Sequence, residues 1–129
     1  MQAKAGDERR YGWLGLAVLT AATLIVLGLF LRRELAVTDG VLGVPLDDAW
    51  IHFQFARNLQ QGAGFSYNPG EPTPGSTAPL WTILMALAAW PSGEFLLTGL
   101  ALSASFLLLT VWGAYGFTHS ITGKVWPAL

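Results

Sequence analysis

Apolar residues in this chain fall in long unbroken runs, not in alternation with polar ones. Tyr11 to Leu31 is a stretch of 21 residues without a charge. Its core, "WLGLAVLTAATLIVLGLFL" from Trp13 to Leu31, would form a helix of about 29 Å, enough to cross a hydrocarbon core. A cleaved signal peptide would have a shorter apolar region ending in small residues. Arg32, Arg33 and Glu34 follow instead, which predicts an uncleaved span. Phe95 to Thr118 gives 24 uncharged residues, long enough to span with some tilt. Within it Gly99 and Ser103, and Ala101 and Ser105, are spaced by four, as in close helix packing in lipid. Between these runs lies "PLWTILMALAAW", Pro79 to Trp90. Pro79 suits a first helical turn, with Ser76 or Thr77 as its cap, and Pro91, Ser92 and Gly93 stop the helix. It is read as a short second span, with a re-entrant or buried helix as the alternative. If it crosses, it forms a tight hairpin with the run from Phe95, turning at "PSGE".

The pattern changes between Arg32 and Ala78. This segment holds Glu34, Asp39, Asp47, Asp48 and Glu71, most of the acidic residues of the chain. Trp50, Ile51, Phe53, Phe55 and Leu59 make it too apolar for a solvated linker. The spacing predicts a helix over about 47–61, capped by Asp47 or Asp48 and ended by Gly62 or Gly64. Ala49, Trp50, Phe53 and Ala56 share one broad side. Asp48, His52 and Leu59 share another, bordered by Phe55. Such a helix would lie in the membrane interface, its acids at the end that favours negative charge. "NPGEPTPG" then predicts a turning, rigid connector back to Pro79.

Composition agrees. The chain is 53% hydrophobic and 12% charged, with a mean hydropathy of +0.47, whereas soluble domains carry about 25% charged residues. A net charge of -1 offers no basic surface to nucleic acid. The absence of cysteine excludes disulfides and thiolate metal sites. Several of the six tryptophans flank apolar runs, as interfacial anchors do. Lys4, Arg9 and Arg10 on one side of the first span slightly outweigh Arg32 and Arg33 on the other, favouring a cytoplasmic N-terminus.

The candidate chemistry lies in the long loop. One acid suffices to cap a helix, and Asp47 and Asp48 are adjacent. The second stands beside a like charge near low dielectric, where a carboxylate can be tuned as a general base. Two carboxylates alone do not demand a cation, so the sequence calls for no cofactor, although a divalent ion is compatible with them. His52, four residues after Asp48, can face it, and the plainer reading is a histidine at a wet interface. Arg57 can fork a phosphate or reach lipid headgroups. Glu71 is a third carboxylate, in a turn.

Taken in order, these residues resemble a family. Asp47-Asp48-Ala49-Trp50-Ile51, Ala56-Arg57-Asn58-Leu59, Gly62-Ala63-Gly64, Asn68-Pro69-Gly70-Glu71 and Gly75-Ser76-Thr77-Ala78-Pro79-Leu80-Trp81 look like the first extracytoplasmic loop of GT-C-type membrane glycosyltransferases. The bacterial arabinofuranosyltransferase-like branch is the most similar. The resemblance implies a multi-pass protein of the bacterial inner membrane whose donor is a sugar on a polyprenyl phosphate. The acceptor would be a hydroxyl of a glycan, lipid or protein. Asp47 would be the base and Asp48 its support, with His52, Arg57 and Glu71 as substrate-binding candidates.

The expectation is therefore an all-α membrane protein of two to three transmembrane helices, with an interfacial helix in a long first extracytoplasmic loop. Residues 1–12 would be cytoplasmic, 13–31 the first span, 32–78 the loop, 79–90 the short second span and 95–118 the third. Because family members have many more spans, 119–129, with Trp126-Pro127 opening a helix, would begin a missing remainder, and this piece would be inactive alone. The rivals are a non-catalytic membrane protein sharing the loop, of flagellar motor-control or assembly type, and a transporter fragment using the acids as a cation site.

Overall fold

The computed structural model describes residues 2–44 and 46–122. Its helices are α1 (Gln2–Val37), α2 (Asp47–Gln60), α3 (Pro79–Ala88) and α4 (Phe95–Thr122). No strand occurs among the described residues, only an isolated antiparallel bridge between Ser66 and Pro72. The chain divides into two compact units, one of α1 with the later part of α4, the other running from Val41 to Ser103.

In the first unit, Tyr11–Val37 and Phe95–Thr122 are long and apolar enough to cross a membrane. Trp13, Val18, Ile25, Val26, Leu29 and Phe30 of α1 are all exposed. A helix apolar on every side belongs in a core or in lipid. Only 6% of the apolar window of α1 is buried, and 11% of that of α4, so lipid suits these surfaces. Their hydroxyls are satisfied within the helix: Thr20 Oγ1 donates to Leu16 O, Thr23 Oγ1 to Leu19 O and Thr110 Oγ1 to Phe106 O, each at 2.8 Å. Tyr115 Oη donates to Gly12 O at 2.8 Å, and Trp112 Nε1 to Thr20 Oγ1 at 2.9 Å. α1 ends where Asp39 turns left-handed at φ 52°, letting Gly40 N–H bond to Leu35 O at 2.8 Å. Asp is one of the few non-glycine residues that take that conformation readily.

The second unit is built on α2 and α3. Phe53 and Ala56 of α2, Met85 and Ala86 of α3, Ala89 and Phe95 form one buried cluster, with Val44, Ala49, Leu59, Trp81, Leu96 and Leu102 packed around it. Gly99 makes room for it, because a Cβ there would stand 2.9 Å from the Phe53 ring. Gln60 Nε2 also donates to Ala86 O. α2 closes with Gly62 at φ 74°, Gly62 N–H bonding Leu59 O at 3.3 Å and Ala63 N–H bonding Asn58 O at 2.9 Å. That paired arrangement is the usual glycine-dependent end of a helix.

Three expectations change. α1 runs well beyond 13–31 at both ends. The short second span is a helix of ten residues, Pro79–Ala88, about 15 Å long and half a hydrocarbon core. It is not extended, because Ala78 is non-helical at φ −132° and the chain turns after Ala89, with Gly93 N–H bonding Ala89 O at 2.7 Å. The run from Phe95 continues as helix to Thr122, and the expected opening at Trp126-Pro127 lies outside the described residues.

Candidate functional site

The 63–78 connector is held against α2 by Phe55 and Asn58. Phe55, 1% exposed, packs on Phe65 and Tyr67 at centroid distances of 5.0 and 6.1 Å. Gly75 approaches its ring so closely that a Cβ would come within 3.3 Å. Asn58 Nδ2 donates to Ser66 O at 2.9 Å and Tyr67 O at 2.7 Å, while Gln54 Nε2 donates to Asn58 Oδ1 at 3.3 Å. Buried backbone carbonyls of a non-helical segment need such donors. Asn68-Pro69-Gly70-Glu71 forms the tight turn its composition predicts, with Gly70 at φ 83° and Glu71 N–H bonding Asn68 O at 3.1 Å.

This clamp brings the end of the connector over the first turns of α2. His52 Nδ1 lies 3.2 Å from both Ser76 Oγ and Thr82 Oγ1. Ser76 Oγ and Thr82 Oγ1 are 3.0 Å apart, and Thr82 Oγ1 donates to Ala78 O at 3.3 Å. His52 therefore joins α2, the connector and α3. Beside it is a small cavity of about 40 Å³ lined by Asp48, Ile51, His52, Gly75 and Thr77. One water occupies about 10–15 Å³ on such a measure, so the space suits about three water-sized groups.

The expected site residues separate. Asp48 and His52 meet on the cavity wall, as their spacing of four allows. Asp47 does not line it. Both acids are exposed, and Asp47, at the first helical position, accepts Asp48 N–H at Oδ1 at 3.0 Å. Arg57, nine residues after Asp48, falls on the opposite side of α2, its guanidinium 5.5 Å from the Phe95 ring centroid. Glu71 is exposed in its turn, where Oε2 accepts from Asn68 Nδ2 at 3.3 Å.

Several local expectations are corrected. The residue capping α2 is Leu46, at φ −120° and without a side-chain bond, so neither acid is the cap. Ala78 caps α3, and Ser76 turns instead to His52 and Thr82. His52 is not at a wet interface but 9% exposed. Trp50 stays 51% exposed, edge-on to Phe53 at 5.5 Å, while Phe55, placed at the border of the other face, is buried. Thr82 is the positioning residue the sequence did not single out, while Ser76 was read as a cap and Asn58 only as part of the ordered motif. A lone hydroxyl in the apolar run of α3 was the available signal for Thr82.

A scan against protein-family models, a search of curated proteins and a search of solved structures each find no match to this chain. The functional reading therefore rests on its own residues.

Proposed function

We propose that this protein is a membrane glycosyltransferase of GT-C type, moving a sugar from a polyprenyl phosphate to an acceptor hydroxyl at the extracytoplasmic face of a bacterial inner membrane. The observation that carries the reading is the meeting of Asp48 and His52 on a small cavity, beneath a connector clamped by Asn58. The ordered likeness from Asp47 to Trp81 supports it, as do two helices fit to hold the unit at a bilayer.

In this mechanism the Asp48 carboxylate takes the proton of the acceptor hydroxyl. The freed oxygen attacks the anomeric carbon. The bond from that carbon to the phosphate oxygen breaks, and its electron pair leaves with the polyprenyl phosphate. Asp48 is preferred to Asp47 because of its place on the cavity wall. Trp50 and Arg57, seven apart and exposed on the side of α2 away from Asp48, would meet lipid headgroups, as an interfacial helix requires.

Because the resemblance implies further spans, the experiment reconstitutes this chain within the multi-span protein in liposomes, with a radiolabelled sugar on polyprenyl phosphate and extracted envelope glycan as acceptor. Label should pass to the acceptor. No transfer, with the protein folded and correctly inserted, would favour the non-catalytic membrane protein.

A further inference from the structure

His52 does more than tie the connector to α3. Its Nδ1 takes part in two bonds, while among the described residues no hydrogen-bond partner engages Nε2. No buried side-chain nitrogen or oxygen among the described residues is left without a partner, so Nε2 retains access. The residue is 9% exposed and lines the cavity it shares with Asp48.

Counting protons favours one tautomer. Thr82 Oγ1 donates to Ala78 O, so its proton is committed. Ser76 then supplies the proton of the Ser76–Thr82 bond. On that count neither hydroxyl has a proton left for His52, and Nδ1–H shares its single proton between the two oxygens. In the neutral ring that leaves a lone pair at Nε2. Asp48 presents carboxylate oxygens on the same wall. The cavity lining thus carries two acceptors and suits a ligand with two donors.

We infer that the Asp48–His52 cavity binds a vicinal diol of sugar type, one hydroxyl donating to the Asp48 carboxylate and the neighbouring hydroxyl to His52 Nε2, with Ser76 and Thr82 as the residues that set the ring. This deepens the glycosyltransferase reading by naming the acceptor as a polyol, and it rests on that reading only for the reaction, not for the binding.

The test is nitrogen-15 NMR of the full chain, labelled at histidine, in nanodiscs. The chain has two histidines, so His119→Gln leaves only the signals of His52. Nδ1 should carry the proton and Nε2 should not. A proton on Nε2 overturns the inference. Glycerol should then shift the Nε2 resonance along a saturable curve, whereas 1-propanol at equal hydroxyl concentration should not. Equal responses to both, or none to glycerol, overturn the diol. Ser76→Ala combined with Thr82→Val should mix the tautomers while the far-ultraviolet spectrum is unchanged. A single tautomer surviving in that variant would contradict the positioning role. None of these readings needs sugar transfer, so they stand apart from failure of the transfer assay.

Discussion

At the scale of single residues, the two acids differ in what they face. Asp48 lines the cavity, and Asp47 spends one oxygen on the Asp48 N–H. Asp47→Asn keeps an oxygen able to accept that bond, so transfer should fall less than about tenfold, well short of the 10²–10⁴ expected when a general base is removed. Comparison of initial rates at matched protein levels checks this. Asn58 is the other decisive residue. Asn58→Ala strands the carbonyl of Ser66 in a buried position and leaves that of Tyr67 only a 3.4 Å bond from Gln54 Nε2. Leaving such groups unpaired costs about 1–3 kcal/mol each. Thermal unfolding in detergent should show a lowered midpoint, and proteolysis should begin within 63–78. His52 was the residue least readable in advance, because its partners lie 24 and 30 positions away. Local spacing shows that it can face Asp48 but says nothing of Ser76 or Thr82.

At the scale of elements, what could be read depended on whether the determinants were local. α1 and α4 follow from the length of their uncharged runs. The end of α2 follows from Gly62, whereas its start does not follow from the acids, since Leu46 holds the capping position. Its faces do not, because Phe55 is buried by Phe65, Tyr67 and Gly75 from a segment with no regular structure. The small residue at Gly99 was visible, and its use was not: it receives the Phe53 ring. Gly99→Ala should be destabilising. The steric term of about 1–3 kcal/mol outweighs the helix-propensity gain of about 1 kcal/mol. Phe53→Leu in the same chain should recover most of the lost stability, measured as a double-mutant cycle in detergent.

At the scale of the whole molecule, the account needs a membrane and one orientation in it. Two long helices exposing leucine, isoleucine and phenylalanine would aggregate in water. The protein should therefore fractionate with membranes and resist alkaline extraction. The chain has no cysteine, so single cysteines introduced at exposed positions such as Tyr67 or Glu71 report topology cleanly. An impermeant maleimide added to intact cells should label them, and labelling only after lysis would reverse the orientation. The central claim joins these scales: a carboxylate at the head of α2 deprotonates an acceptor hydroxyl. It is tested most directly by the rate of sugar transfer from polyprenyl phosphate for Asp48→Asn against the unaltered protein in the same liposomes. A loss of about 10²–10⁴-fold with unchanged thermal stability is the predicted result, and transfer by Asp48→Asn at the unaltered rate would contradict it.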